Sequence, residues 1–355
     1  MSEKVLMKGN EAIAEAAIRC GCRYFFGYPI TPQTELSEYF AKKMPKVGGL
    51  CLQAESEVAA INMTMGAAAS GTRVITSSSS PGISLKSEGI SYIAGCDLPC
   101  VIVNVQRGGP GLGGIQPSQA DYYQATRGVG HGDLRLLVLA PSSVQEMAQL
   151  TSEAFDLADI YRMPAMILAD GALGQMMEPV DFGAIPQRKL PPKDWAACGH
   201  ENKRKKNIVN SLYIEPQELE EIVDRRYERY AKVEEAETRC EEYLTEDADI
   251  VLVAFGITAR VCKTAVNAAR AEGIKAGLIR PITLWPFPKK AIHAAACKAK
   301  AMLSVEMSKG QMVDDVRLAV NGKCPVEFYG RTGGMIPTPD AVREKIRAML
   351  AQMKG

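Results

Sequence analysis

Short apolar runs alternate with segments of helical periodicity along most of the chain. The apolar runs predict strands over residues 24–28, 50–53, 72–77, 99–105, 136–139 and 165–168, and then over 250–255, 276–279, 301–305 and 326–329. The run 99–105 is apolar almost throughout, which is typical of a parallel strand covered on both faces. Strands that alternate with helices in this way predict an α/β fold.

The segments between these runs predict helices, because apolar residues recur in them at spacings of three and four. The expected helices cover residues 9–20, 35–43, 58–71, 84–94, 142–158, 259–271, 311–320 and 340–353. A further helix is expected from Ser118. Residues 77–82 predict a polar loop, since serine, proline and glycine are typical of turns.

The same pattern divides the chain into two doubly wound, parallel-sheet domains and a segment that joins them. Residues 1–183 are predicted to form the first domain, and residues 249–355 a smaller second one. Residues 184–248 are interpreted as a linker followed by a long, strongly charged helix over 215–244. Apolar periodicity vanishes at the start of this linker, where four prolines occur nearby, at positions Pro179, Pro186, Pro191 and Pro192.

Two carboxylates, Glu55 and Glu57, stand at the start of a helix that contains almost only small or flexible apolar residues. No charged residue occurs from Val58 to Thr72, so we expect this helix to be buried and to allow close approach of another backbone. A carboxylate in such surroundings is costly unless it has a partner. Glu57 either interacts with the helix dipole, worth about 0.3–1 kcal/mol, or meets a ligand, and Glu55 competes for the second role.

Composition narrows the function classes. The chain has 355 residues, 23% of them charged, and a net charge of +1, which gives no basic field for nucleic acid. No secretory signal is evident, and no apolar run approaches the roughly 18 residues of a membrane span. Ten cysteines without Cys-x-x-Cys spacing and three dispersed histidines argue against an iron–sulfur or zinc site. They indicate reduced thiols in a cytoplasmic protein.

The glycine-rich segment 108–114 follows a strand but differs from a dinucleotide fingerprint, because Pro110 and Pro117 separate its glycines from the next helix. An active-site loop that carries Arg107 is the favoured interpretation, while a plain connection and a nicotinamide site stay open. The basic run 203–206 is interpreted as a solvated loop, with docking of an acidic electron carrier as the alternative.

Four motifs, in this order, resemble the α subunit of 2-oxoacid:ferredoxin oxidoreductases. They are residues 28–32 (Tyr-Pro-Ile-Thr-Pro), 53–57 (Gln-Ala-Glu-Ser-Glu) with the helix that follows, 76–82 and 106–110. Segments 253–258 and 280–287 resemble the transketolase C-terminal-type domain of that family. The Arg107 loop and the turn 131–133 favour the 2-oxoisovalerate (branched-chain) members over the 2-oxoglutarate members.

The resemblance implies that the first domain binds the aminopyrimidine of thiamine diphosphate. A separate β subunit would supply magnesium, the diphosphate contacts and an iron–sulfur cluster. This agrees with the lack, in this chain, of a cysteine cluster and of a Gly-Asp-Gly motif followed by Asn at the distance that binds magnesium. Small γ and ferredoxin-like δ subunits, ferredoxin and coenzyme A are the other implied partners, whereas nucleic acid and membranes are not.

The implied reaction is the coenzyme A-dependent oxidative decarboxylation of a 2-oxoacid to acyl-CoA and CO₂, with reduction of ferredoxin. The implied substrate is 2-oxoisovalerate, with 2-oxoglutarate or pyruvate as alternatives, and we expect activity only in the assembled complex. A non-catalytic scaffold subunit of the same architecture is the competing interpretation.

The resemblance also implies roles for particular residues. Glu57 matches the glutamate that hydrogen-bonds the pyrimidine ring nitrogen, and this match selects Glu57 over Glu55. Thr31 matches a threonine near the substrate carboxylate, and Arg107 matches an arginine that pairs with substrate charge. The implied cofactor contacts also include Tyr28, Pro29, Ile30, Ser79 and Pro81. No residue of this chain is expected to bind a metal.

Overall fold

The computed structural model describes residues 4–185 and 188–354, in which mostly parallel strands form two large sheets with helices packed around them. The first and eighth strands pair as a separate two-stranded antiparallel sheet. The strands are β1 (Val5–Lys8), β2 (Tyr24–Gly27), β3 (Leu50–Gln53), β4 (Val74–Ser78), β5 (Val101–Gln106), β6 (Leu137–Leu139), β7 (Ala165–Asp170), β8 (Met177–Val180), β9 (Cys240–Tyr243), β10 (Ile250–Val253), β11 (Ala276–Pro281), β12 (Thr283–Trp285), β13 (Ala301–Glu306) and β14 (Val326–Gly330). The predicted α/β class, with two doubly wound domains, is confirmed.

Helices follow most of these strands. They are α1 (Gly9–Arg19), α2 (Thr34–Lys43), α3 (Glu57–Ala69), α4 (Ser80–Gly95), α5 (Val144–Tyr161), α6 (Gly171–Gln175), α7 (Pro216–Glu237), α8 (Gly256–Ala271), α9 (Lys289–Ala296), α10 (Met312–Val320) and α11 (Pro339–Lys354). Short 3₁₀ segments occur at Met44–Val47 and Phe182–Ala184, and a π-helical turn at Gln124–Gly128. Pro186, one of the linker prolines, lies outside the described residues.

The larger sheet has the strand order β12-β6-β7-β5-β4-β2-β3, and only β12 runs antiparallel to its neighbour. The chain passes from β2 to β3 on one side and then returns to place β4 on the other side. Such a reversal opens a crevice at the carboxyl ends of the strands, which is where open α/β sheets bind ligands. The crevice of this sheet therefore lies between the segments that follow β2 and β4.

The second sheet has the order β14-β13-β10-β11-β9. Its antiparallel edge strand β9 comes from residues that the sequence predicted to be the end of the charged helix, which ends at Glu237 instead. Conversely, β12 leaves the second unit and pairs with β6 of the larger sheet. Each of the two large sheets thus includes one strand from outside the domain that the sequence predicted for it. The predicted domain boundaries at residues 183 and 249 stay predictions.

Buried polar contacts join the two units. The side chain of Gln119 donates to the Phe255 carbonyl (2.8 Å) and accepts from the Thr258 hydroxyl (3.0 Å). Arg280 forms a bidentate ion pair with Glu146, with both N–O distances at 2.8 Å. Because these groups are largely withdrawn from water, each partner satisfies a group that would be costly to leave unpaired.

Two local predictions were wrong. Residues 77–82 do not form a loop, because α4 begins at Ser80 and Pro81 occupies its first turn, where a missing N–H and a fixed φ are favourable. The helix expected from Ser118 is reduced to helical residues at 122–123 and the π-helical turn Gln124–Gly128.

The prediction that the uncharged helix α3 is wholly buried holds for one of its faces in this chain. Ile61 contacts α4 so closely that a Cβ on Gly89 would lie 2.5 Å from the Ile61 Cγ2 atom. The opposite strip, formed by Val58, Asn62 and Gly66, is exposed. No atom lies within 4 Å of the position that a Cβ would take on Gly66.

These two glycines form a matched pair for a stability test. We expect Gly66→Ala to raise the free energy of unfolding of the full chain by about 0.5–1 kcal/mol, because alanine favours the helix and meets no atom. Gly89→Ala is expected to lower it by about 1–3 kcal/mol through overpacking against Ile61. Urea unfolding followed by circular dichroism measures both, and equal effects would contradict this account of the packing of α3 on α4.

Candidate functional site

The carboxyl ends of four adjacent parallel strands lie at one edge of the larger sheet, where the strand order places the crevice. Residues 28–33 follow β2, residues 54–56 lead from β3 into Glu57, Ser79 follows β4, and Arg107 follows β5. Every site residue predicted from the sequence lies in one of these segments or in the first turn of the helix that follows it. The structure thus brings the predicted residues to one edge of the larger sheet.

Glu57 is the first residue of α3 and is only 6% exposed. The helix is capped one residue earlier, where the Ser56 hydroxyl accepts a hydrogen bond from the Ala59 amide (3.1 Å). Among the described residues, none donates a hydrogen bond to the Glu57 carboxylate. Glu55, by contrast, is exposed. Burial therefore distinguishes the two acids, which the spacing of residues alone did not.

The Glu57 carboxylate lies directly over Gly82 in the first turn of α4. A Cβ on Gly82 would lie 2.7 Å from the Glu57 Oε1 atom and 2.0 Å from the Ser78 hydroxyl oxygen. Only glycine fits here without displacing the acid. Gly82 therefore keeps α3 and α4 close enough for Glu57 to lie at the crevice.

Three polar atoms in the converging segments are unpaired among the residues that the structure describes. The buried hydroxyls of Ser78 and Ser79 and the Nε atom of Arg107 have no hydrogen-bond partner within the described part of the chain. Buried polar groups are nearly always hydrogen-bonded, so each exception requires an explanation. A polar, planar ligand that carries both donors and acceptors would satisfy such a set.

Arg107 connects two of the converging segments. Its Nη1 atom donates to the Thr31 carbonyl and its Nη2 atom donates to the Leu112 carbonyl, both at 3.1 Å. Its backbone amide donates to the Ser80 hydroxyl (3.0 Å). The guanidinium is thus held between the segment after β2 and the glycine-rich loop, whose Leu112 side chain is 84% exposed.

The remaining predicted contact residues lie around the mouth of the crevice. Tyr28, Pro29 and Thr31 are exposed, whereas Ile30 and Pro81 are half-buried. This placement leaves them open to a ligand or to another chain, and their contact with a cofactor stays a prediction.

Asp121 is a site residue that the sequence prediction missed. Its carboxylate accepts from the Ser80 hydroxyl (2.6 Å) and from the Asn104 side-chain amide (2.9 Å). Burial raises the pKa of Asp121, and these two hydrogen bonds oppose the shift. Asp121 was assigned to a regular helix, so nothing in the sequence indicated that it would turn back toward α4.

Lys86 is the second residue that was missed. Its side chain is fully buried, and its Nζ atom donates to the Thr76 hydroxyl (2.6 Å) and to the Ser77 carbonyl (2.9 Å). The available signal was that Lys86 falls on the helical stripe formed by Ile83, Ile90 and Ile93, because an ammonium buried on such a face requires a specific partner.

Within residues 4–185 and 188–354, no three His, Cys, Asp or Glu side chains come together in a way that could hold a metal ion. In the same part of the chain, no helix is both long and apolar enough to cross a membrane.

Comparison with known proteins identifies both halves of the chain. A family model described as pyruvate flavodoxin/ferredoxin oxidoreductase, thiamine diphosphate-binding, matches residues 15–245. A second model, pyruvate:ferredoxin oxidoreductase core domain II, matches residues 248–342.

Similar curated proteins match along nearly their whole length. A ketoisovalerate oxidoreductase subunit of Methanothermobacter thermautotrophicus is 52% identical, over 96% of this chain and 97% of the relative. A 2-oxoglutarate synthase subunit of Methanothermobacter marburgensis is 36% identical, over 98% of this chain and 100% of the relative.

Among solved structures, the chain is similar to the 2-oxoglutarate:ferredoxin oxidoreductase of Magnetococcus marinus with 2-oxoglutarate, coenzyme A and succinyl-CoA bound. The TM-score is 0.84 at 26% identity, and the match covers 98% of this chain but 65% of that one. A split-gene transketolase, with a TM-score of 0.60 at 16% identity, shares the fold alone.

The two hydrogen bonds of Arg107 generate a prediction about the glycine-rich loop. Arg107→Met removes both bonds, so the amides of residues 108–116 should exchange hydrogen faster, including Gly114, which donates to the Gly108 carbonyl (2.9 Å). Leu112→Ala is the control, because it keeps the accepting carbonyl and changes only an exposed side chain. Hydrogen exchange measured by mass spectrometry should separate the two variants, and unchanged exchange in Arg107→Met would disprove the restraint.

Proposed function

This chain belongs to the 2-oxoacid:ferredoxin oxidoreductase family, and from that membership we propose that it carries the pyrimidine half of a thiamine diphosphate site that partner subunits complete. The single observation that carries the proposal is the buried Glu57 carboxylate. It opens on a crevice and receives no hydrogen bond from the described residues. A ring nitrogen that bears a proton is the kind of donor that this site lacks.

The residues around Glu57 fit an aminopyrimidine. Ser78 and Ser79 have buried hydroxyls without partners, and Gly82 leaves room for the acid at the crevice. When bound, thiamine diphosphate supplies the nucleophilic carbon at which the 2-oxoacid is decarboxylated. Glu57 would hold a proton at the pyrimidine ring nitrogen and so favour the tautomer whose exocyclic nitrogen acts as a base. General acid–base assistance of this kind is typically worth about 10²–10⁴ in rate.

Arg107 and Thr31 are proposed to bind the substrate carboxylate. The guanidinium is held in place by the Thr31 and Leu112 carbonyls, and its Nε atom has no partner among the described residues. An arginine pairs with a carboxylate through two parallel hydrogen bonds, which fixes the orientation of the bound group. Tyr28, Pro29, Ile30 and Pro81 would form the rim of the cofactor site, together with Ser79 within the crevice.

The proposed substrate is 2-oxoisovalerate, which would be converted with coenzyme A to the acyl-CoA and CO₂ while ferredoxin is reduced. Ketoisovalerate oxidoreductase subunits at 52% identity support this choice over 2-oxoglutarate, whose related subunits are 36% identical. Pyruvate is the remaining alternative. We place the reaction in the cytoplasm.

The proposed partners follow from what the described residues lack. A β subunit would hold magnesium and the diphosphate group and would carry an iron–sulfur cluster, since no metal-binding group occurs among the described residues. The exposed strip Val58, Asn62 and Gly66 on α3 is an uncharged surface next to Glu57, where that subunit could pack closely. Small γ and ferredoxin-like δ subunits would complete the complex.

A scaffold role is the competing proposal, in which Glu57 only stabilises α3 through the helix dipole. The burial of Glu57 beside unpaired hydroxyls favours the catalytic role, because a dipole interaction alone does not require a buried acid.

Glu57→Gln and Glu55→Gln separate the two proposals. In the assembled complex, Glu57→Gln should lower oxoacid-dependent viologen reduction by about 10²-fold or more, because the amide cannot hold the proton in the same way. Glu55→Gln changes an exposed neighbour two residues away and should keep near-normal turnover. Subunit composition is checked by size-exclusion chromatography. Normal turnover of an intact Glu57→Gln complex would refute the catalytic role.

A panel of 2-oxoacids tests the substrate. With coenzyme A and the purified complex, kcat/KM should be highest for 2-oxoisovalerate, because a site that accepts a branched apolar chain would desolvate the second carboxylate of 2-oxoglutarate and would lose roughly 1–3 kcal/mol for each methyl group that pyruvate lacks. Product analysis by mass spectrometry should find the branched acyl-CoA. A higher kcat/KM for 2-oxoglutarate or pyruvate would overturn this assignment but not the role of Glu57.

A further inference from the structure

We propose that Lys86 is the countercharge of Glu57 within this chain, a positioning residue that helps to hold the Glu57 carboxylate at the crevice. The inference rests on the proposed function, because it assigns a reason for a charge on Glu57. It concerns a side chain that touches neither crevice nor solvent, and its support comes from three features of the described residues.

The first feature is the position of Lys86 on α4. Gly82 and Lys86 are four residues apart, so they lie on the same face of the helix, one turn from each other. Glu57 rests on Gly82, where its Oε1 atom would be 2.7 Å from an added Cβ. The acid and the ammonium therefore occupy consecutive turns of one helix face, which packs against α3 and β4.

The second feature is the set of hydrogen bonds that hold the ammonium. Lys86 Nζ donates to the Thr76 hydroxyl and the Ser77 carbonyl, and the Thr76 hydroxyl in turn donates to the Phe26 carbonyl (2.6 Å). These acceptors are neutral and belong to β2 and β4. They fix the position of the Nζ atom without cancelling its charge.

The third feature is electrostatic. Burial lowers the pKa of Lys86 from 10.5 to about 7, while the Glu57 carboxylate raises it and Cys100 does so more weakly. Burial also raises the pKa of the Cys100 thiol to about 12, so Cys100 is uncharged near neutrality. Glu57 is thus the ionised group that favours the ammonium form of Lys86.

Lys86 and Glu57 would therefore form a pair of opposite charges, of which Lys86 is fully buried. Glu57 has no hydrogen-bond donor among the described residues, so without Lys86 the dipole of α3 would be the main compensation that its own chain gives the buried acid. With Lys86 one helical turn away, the charge of the acid is balanced from the side of α4, and its oxygens stay free on the side of the crevice.

The experiment is a double-mutant cycle in the assembled complex with Glu57→Gln, Lys86→Met and the double variant. Methionine is chosen because it keeps the length of the side chain without the charge. Each single change should lower the thermal midpoint, since either one leaves a buried charge alone. The double variant should be no less stable than the worse single variant, because both charges are then gone. Cys100→Ala, combined with Glu57→Gln, is the control and should be additive.

A second measurement distinguishes a charge role from a merely structural one. The acidic limb of the pH profile of kcat should move upward by about one pH unit or more in Lys86→Met, since an opposite charge nearby typically shifts such an equilibrium by about 1–3 units. If Lys86→Met alone fails to assemble, the double variant with Glu57→Gln should restore assembly. Additive effects, an unmoved acidic limb, or no rescue would each overturn the pair.

The outcomes also separate this inference from the proposed function. Coupling in the cycle together with normal turnover of Glu57→Gln would leave the charge pair intact and remove the catalytic role. Loss of turnover in Glu57→Gln without coupling to Lys86 would keep the catalytic role and refute the pair.

Discussion

The burial of one carboxylate constrains the architecture around it. Glu57 is withdrawn from water at the head of α3, and its surroundings within the chain offer no hydrogen bond to it among the described residues. A buried ion of this kind is stable only if charge or dipoles compensate it. The α3 N-terminus and, in our proposal, the Lys86 ammonium supply this compensation from inside, and the crevice leaves the outward side free for a donor from another molecule.

The topology of the larger sheet determines where this acid lies. Because β2, β4 and β5 are parallel neighbours, their carboxyl ends bring residues 28–33, Ser79 and Arg107 to the same edge. Glycines then allow α3 and α4 to approach each other closely, since Gly82 lies under the Glu57 carboxylate and Gly89 lies against Ile61. The uncharged strip of α3 remains exposed beside this edge. The site therefore has the form of one half of a cleft, and we propose that its other wall belongs to a partner subunit.

The elements that the sequence predicted well are those whose pattern is local. Residues 50–53 form β3 over the predicted span, because a short apolar run directly after Gly48 and Gly49 is too short for a helix and favours a strand. The prediction for β9 was wrong, because Glu241 and Glu242 continue the charged pattern of the preceding helix in the sequence. In the fold, Glu241 pairs with Lys263 (2.7 Å) and Arg280 (2.8 Å), which lie on neighbouring elements. The pairing of β12 with β6 likewise depends on contacts that are distant in sequence.

The residues of the candidate site likewise fall into those that local motifs predicted and those that only the fold revealed. Glu57, Thr31 and Arg107 were identified through motifs that resemble a family, whereas physical reasoning from the sequence established only that a carboxylate near residue 57 needed a partner. Lys86 and Asp121 were missed because their significance lies in what other elements place beside them. Local patterns thus predicted the segments that build the crevice, while the charges behind it emerged only from the packing.

The most direct test of a half-site centred on Glu57 is the structure of the assembled complex with thiamine diphosphate bound, determined by cryo-electron microscopy or crystallography. The quantity to measure is the distance between the Glu57 carboxylate and the pyrimidine ring nitrogen. We predict a hydrogen bond of about 2.6–3.2 Å, with magnesium and diphosphate held by another subunit. A pyrimidine ring that contacts a carboxylate of a different chain, with Glu57 away from the cofactor, would contradict the account.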